Sequence, residues 1–98
     1  MEFTIEESRI YAEDENGRIL CELAMPGYSS GISAITHVYV ARFLRNQGIA
    51  SKLMETACDV FRRQGRKAVA ICPYAVSWIK KNPEYDDVLS IPESGPKV

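Results

Sequence analysis

The sequence predicts an α/β (α+β) domain, a mixed and mainly antiparallel sheet of about four strands with two helices. Three observations lead there. Two β-compatible runs flank an Asn16-Gly17 turn. A strand-like run, a long helical run and a compact second strand then follow one another between residues 32 and 72, which is the order of a strand–helix–strand crossover. Past Pro73 a short second helical run ends before Pro83.

Residues 9–13 and 18–25 are rich in β-compatible side chains and are separated by D-E-N-G, so they should pair as an antiparallel hairpin. P-G-Y-S-S-G, residues 26–31, is a second turn-rich connection. I-S-A-I-T-H-V-Y-V, residues 32–40, reads as one continuous third strand. Ile32, Ala34, Thr36, Val38 and Val40 share one face of it, and Ser33, Ile35, His37 and Tyr39 the other. Apolar side chains on both faces predict a central strand covered on each side.

From residue 48 to about 64, Ile49, Ala50, Leu53, Met54, Ala57, Cys58 and Phe61 recur at helical spacing, with Lys52, Glu55, Thr56, Asp59, Arg62 and Arg63 opposite. Gly65 stands where a helix end favours positive φ, and the nearby Arg62, Arg63, Arg66 and Lys67 complement the negative pole. K-A-V-A-I-C, residues 67–72, is a compact strand that should lie parallel to the third, with a right-handed connection. Residues 74–81 form the second helix, and the tail from residue 92 to 98 is expected to fray.

Ninety-eight residues accommodate a single domain, 1–98, with its core over about residues 9–87 and a C-terminal tail over 88–98. Hydrophobic residues at 46% and charged residues at 26% are ordinary for a globular protein. No apolar run approaches the ~20 residues of a membrane span, and the acidic start M-E-F-T-I-E-E-S is unlike a secretory signal, so a cytoplasmic location is expected, with no membrane partner. Cys21, Cys58 and Cys72 are odd in number and lack C-x-x-C spacing, which argues against a disulfide framework and against a metal site.

The net charge of −1 hides a gradient: residues 1–24 carry seven acids and two bases, residues 41–67 seven bases and two acids. A nucleic-acid partner is not expected of a chain without net positive charge. One polyphosphate ligand near the middle is compatible with it, as is plain solvated surface charge.

The loop R-N-Q-G-I-A, residues 45–50, opens directly into the long helix soon after a strand. A helix N-terminus has about four main-chain N–H groups without intrahelical partners and about half a positive charge. Gly48 lets phosphates approach the backbone, Ala50 is small, and Arg45 adds a forked cation, which together suit a pyrophosphate. With one glycine it is neither the G-x-x-x-x-G-K-[ST] loop nor the G-x-G-x-x-G turn.

V-Y-V, R-N-Q-G-I-A-S-K-L, C-P-Y at the end of the crossover strand and the following W-I-K-K-N-P-E-Y resemble the GNAT superfamily of acetyl-CoA-dependent N-acetyltransferases. The resemblance covers about residues 9–87 and is narrower to a minimal, roughly hundred-residue branch with a cysteine after the crossover strand. It implies that main-chain groups near Val38 and Val40 pair with the pantetheine arm of coenzyme A. It also implies that Arg45, Asn46, Gln47, Gly48, Ile49 and Ala50 wrap the pyrophosphate, and that the strand holding His37 splays from the crossover strand to admit the thioester. Two departures stand out. The second-helix tyrosine of ordinary members, which protonates the departing thiolate, corresponds here to Ile79, preceded by Trp78; and no pair of helices lies between the first two strands. The acceptor side is therefore open, or completed by a partner such as a second copy in a homodimer.

Acetyl transfer to an amine needs a neutral amine, a donor to the developing oxyanion and a proton for the leaving thiolate. Cys72 ends a strand at the mouth of the expected slot. It could relay the acetyl group, one thioester replacing another, or protonate the thiolate, or simply pack. His37, the only histidine, suits a base for the ammonium proton, a ligand contact or a structural hydrogen bond. Tyr39 and Tyr74 read as packing or slot-lining groups, Lys80 and Lys81 as solvated helix surface, Cys58 as core. The leading function is acetyl-CoA binding with transfer to an amine acceptor. The alternatives are a non-catalytic acyl-CoA-binding module and a small interaction scaffold that leaves the loop empty.

Overall fold

The computed structural model describes residues 1–92; the expected fraying of the tail falls, but for Pro92, outside the described residues. Three strands open the chain, β1 (Thr4–Ile5), β2 (Arg9–Glu13) and β3 (Ile19–Ala24), each antiparallel to the next. The hairpin between β2 and β3 forms where the sequence puts it, but by a longer turn than Asn16-Gly17 alone. Asp14 organises it, its carboxylate accepting from the N–H groups of Asn16 at 2.8 Å and Arg18 at 2.9 Å. Of the Asn-Gly pair only Gly17 takes positive φ, 82°, which closes the loop with a left-handed glycine.

The run expected as one third strand is divided at Thr36 into β5 (Ile32–Ile35) and β6 (His37–Val40), preceded by the short β4 (Gly27–Ser29). The halves join different sheets. β6 pairs antiparallel with β3, Val38 opposite Leu23 and Val40 opposite Cys21, and completes the sheet β1-β2-β3-β6. β5 pairs antiparallel with β4 and parallel with β7 (Lys67–Ala70), which in turn lies parallel to β8 (Leu89–Ser90). The parallel crossover pairing is thus as expected. The short β1, β4 and β8 are additions to the four expected strands, the third of which is divided into β5 and β6.

The division has a physical cause in burial. Ser33, Ala34 and Ile35 are all buried, so β5 is a covered strand, whereas on β6 only the alternate Val38 and Val40 turn inward and His37 and Tyr39 are exposed. β7 ends two residues sooner than its apolar run, because the N–H groups of Ile71 and Cys72 both turn onto the Ile35 carbonyl at 3.0 and 3.1 Å. Beyond that fork the crossover strand and β6 separate.

α1 (Ile49–Gln64) lays Leu53, Met54, Ala57, Cys58, Val60 and Phe61 on β2, β3, β6 and β7. Leu53, Met54 and Phe61, with Ile10, Leu23, Met25, Ile35 and Leu89, are fully buried, each contributing about 1.5–3 kcal/mol of apolar transfer. Gly65 ends the helix at φ 65°, its N–H bonded to the Arg62 carbonyl and that of Arg66 to the Phe61 carbonyl. α2 (Pro73–Lys81) starts one residue earlier than expected, with proline in its first turn, where a missing N–H is harmless. After it, a single 3-10 turn at Pro83–Tyr85 is tied to α1 through Arg62. That guanidinium grips Asp87 at 2.7 and 2.9 Å, donates to the Glu84 carbonyl at 2.7 Å and stacks over the Tyr85 ring at 4.7 Å. The hydrogen bonds to Arg62 hold the Asp87 carboxyl below the usual carboxylate range. This anchor delivers the chain to β8.

Burial pushes the Cys58 thiol up to about 12 and also raises that of Cys21, so both are unreactive core side chains. Among the described residues no helix is long and apolar enough to cross a membrane.

Candidate functional site

Among the described residues β6 is the last strand of its sheet, and β5 and β7 belong to the other. The Ala41 N–H donates to the Leu20 carbonyl at 2.8 Å. In an antiparallel ladder of this register, that bond makes Tyr39 and His37 the hydrogen-bonded positions, so the main-chain groups of Val38 and Val40 face the unpaired edge. These are the two residues that the resemblance assigns to the pantetheine arm.

The chain leaves β6 through a 3-10 turn at Arg42–Leu44. Arg45 then folds its side chain back, Nε donating to the Val40 carbonyl at 3.0 Å, which settles one of the edge acceptors. Asn46 takes a left-handed φ of 65° and Gly48 one of 79°; asparagine tolerates this region better than most side chains and glycine without cost. Turns that mix backbone handedness in this way aim successive N–H groups into one concavity. The first helical bond runs from the Lys52 N–H to the Gly48 carbonyl at 3.1 Å. Among the described residues, no N–H from residue 46 to 51 donates to a protein acceptor, and no acidic side chain lies in the first turn of α1.

These groups share a cavity of about 610 Å³. Of the residues marked in the sequence, His37, Val38, Val40, Arg45, Asn46, Gly48, Ile49 and Ala50 line it. Gln47 does not: its side-chain amide donates to the Phe43 carbonyl at 3.4 Å. Cys72 is not on the wall either. It is the N-cap of α2, its half-buried Sγ accepting the Ala75 N–H at 3.4 Å, and it packs against the core. Tyr74, two residues on, does reach the wall, as does Tyr39. Burial pushes the Tyr74 phenol up, so it stays protonated.

Leu44 and Ser51 complete the wall. Ser51 was hidden in the sequence by the amphipathic pattern, although its place in the first helical turn is a usable signal. The position of the expected second-helix tyrosine is buried: Ile79 is 6% exposed and faces the core. Its neighbour Trp78, 5% exposed, donates its indole N–H to Ser51 Oγ at 2.8 Å. A separate cavity of about 540 Å³, beside Gln64 and Arg66 beyond the opposite end of α1, is bordered by Glu6 and Glu7 and is the poorer setting for an anion. Among the described residues no cluster of histidine, cysteine or carboxylate side chains could hold a metal ion.

Comparison with known proteins agrees with this fold. Residues 9–88 match the family model described as GCN5-related N-acetyl-transferase. The NMR structure of a GCN5-like protein from Staphylococcus aureus superposes with a TM-score of 0.75 and 28% identity, over 94% of this chain and 90% of that one. Two further structures share the fold. The ribosomal-protein-alanine N-acetyltransferase of Brucella melitensis has a TM-score of 0.55 and 17% identity over 92% of this chain and 67% of that one. An acetyltransferase from Trypanosoma brucei has a TM-score of 0.54 and 17% identity over 92% and 65%. No protein with a curated description matches the sequence.

Proposed function

The chain belongs to the GCN5-related N-acetyltransferase family, and from that premise we propose that it binds acetyl-CoA and transfers the acetyl group to an amine acceptor. The observation that carries the reading is the row of N–H groups at residues 46–51 that, among the described residues, have no protein acceptor, and that belong, Gln47 apart, to residues lining the same cavity as the edge of β6. Hydrogen bonds to a charged group contribute about 1.5–3 kcal/mol each, so several of them suit a diphosphate.

The residues divide the work as follows. The main chain at Asn46, Gln47, Gly48, Ile49 and Ala50 holds the diphosphate with Arg45 beside it, and the edge groups of Val38 with the N–H of Val40, whose carbonyl Arg45 already occupies, hold the amide-bearing arm. The bound cofactor supplies an activated acetyl thioester. His37 stands on the wall with its ring exposed, in a position to take a proton from an incoming ammonium group. Tyr74 and Cys72, where β7 passes into α2, are the protic groups available to a departing thiolate. Only a tight turn joins β2 to β3, so the acceptor side is open to a bulky amine or to a second copy of the chain.

A second reading, a non-catalytic acyl-CoA-binding module, draws support from buried Ile79 and from the engagement of Cys72 in a helix cap. Mass spectrometry after incubation with acetyl-CoA and a panel of lysine peptides, N-terminal peptides and polyamines separates the two. We expect an acetylated amine and free coenzyme A in equal amounts. Coenzyme A binding without any turnover across the panel would favour the module.

A further inference from the structure

Resting on the reading of this cavity as the coenzyme A site, we propose that Trp78 is a positioning residue for the diphosphate: it orients Ser51 so that the serine offers the anion both its N–H and its hydroxyl proton.

The indole N–H of Trp78 is a donor only, and it meets Ser51 Oγ at 2.8 Å. A hydroxyl has two lone pairs and one proton. With one lone pair taken by the indole, the proton turns away from Trp78. Among the described residues Ser51 donates that proton to no acceptor, while its side chain borders the cavity. Thr56 shows the default for a helical hydroxyl, bonding back to the Lys52 carbonyl at 2.8 Å. Ser51 is held out of that default by a partner 27 residues away.

Trp78 is itself fixed. Its carbonyl accepts the side-chain amide of Asn82 at 2.8 Å, and its ring lies 5.3 Å from that of Tyr85, which in turn sits beneath Arg62. The segment following α2 therefore braces the indole, the indole braces the hydroxyl, and the hydroxyl faces the anion site. The charge-assisted bond forms only with a ligand that carries the diphosphate, which gives the pair a selective signature.

The test measures affinity for coenzyme A by calorimetry and for pantetheine, which lacks the diphosphate, by amide shifts at millimolar ligand. Ser51→Ala should weaken coenzyme A about tenfold or more and leave pantetheine unchanged, while Ser51→Thr retains affinity. Trp78→Phe should weaken coenzyme A alone, and the double variant should bind no worse than Ser51→Ala, because the two act as one unit. Unchanged coenzyme A affinity in Ser51→Ala overturns the inference by itself, as does an equal loss for both ligands in a folded Trp78→Phe. Failure of the unsubstituted protein to bind coenzyme A overturns the reading of the cavity and this inference together. Ser51→Ala leaves the buried Trp78 indole N–H without its partner, so a thermal melt accompanies it; with pantetheine affinity retained, its result stands even if Trp78→Phe does not fold.

Discussion

Replacing Ala50 with glutamate should leave the protein folded, or slightly more stable, and remove its affinity for coenzyme A. The first turn of α1 has no acidic residue, although a carboxylate there would complement the positive pole and add about 0.3–1 kcal/mol. A surface helix without an anionic ligand gains from such a residue. Ala50, however, borders the cavity between Gly48 and Ser51, so a glutamate there would lay its own charge over the unpaired N–H groups. Like charges brought together at a binding surface cost several kcal/mol, which corresponds to a loss of at least about 100-fold. Ala50→Gln, equal in size and uncharged, should lose much less. Calorimetry measures the affinities and a thermal melt the stability. Undiminished binding in the glutamate variant would mean that the diphosphate is seated elsewhere.

Cys72→Ser separates the cap that the sulfur makes from the catalytic role proposed for it. The sulfur caps α2 by accepting the Ala75 N–H, and serine is a good capping residue, so the fold should be retained. A serine hydroxyl has neither the acidity of a thiol nor its capacity for thioester exchange. We expect coenzyme A affinity to be unchanged and acetyl transfer to fall at least about 100-fold. Cys72→Ala removes the cap acceptor as well, so it should lose both rate and stability. The other two thiols do not confuse the assay: both are fully buried, and the acidity of Cys58 is suppressed to about 12, so acetyl found on cysteine after digestion would map to Cys72. Full activity in Cys72→Ser would reduce the residue to its cap.

The parts of this fold that a reader of the sequence could find are those set by local periodicity. α1 is written in the spacing of Leu53, Met54, Ala57, Cys58 and Phe61, and its end in Gly65, so both are where the pattern puts them. The parallel pairing of β5 with β7 follows from the order strand, helix, strand. The break at Thr36 was not legible, because it depends on partners far along the chain: β5 is bound to β7, β6 to β3, and nothing in I-S-A-I-T-H-V-Y-V announces the change. β8 is two residues long and exists through the grip of Arg62 on Asp87, 25 positions apart.

The candidate site divides in the same way. The loop at residues 45–50 could be read because a glycine before an amphipathic run is a local signal, and seven of the eight residues assigned to cofactor binding border one cavity. Gln47 and Cys72 were placed by position in the chain, and their side chains are drawn off by short-range hydrogen bonds to Phe43 and from Ala75. The Trp78 to Ser51 contact joins two helices and leaves no trace in either run.

The most direct measurement is the shift of main-chain amide resonances as coenzyme A is added to the labelled protein. The N–H signals of Asn46, Gln47, Gly48, Ile49, Ala50 and Ser51 should move downfield together and saturate with one dissociation constant, accompanied by those of Val38 and Val40. Amides at this helix start that stay still at millimolar ligand, or shifts gathered instead around Gln64 and Arg66, would contradict the seating of the diphosphate on which the account depends.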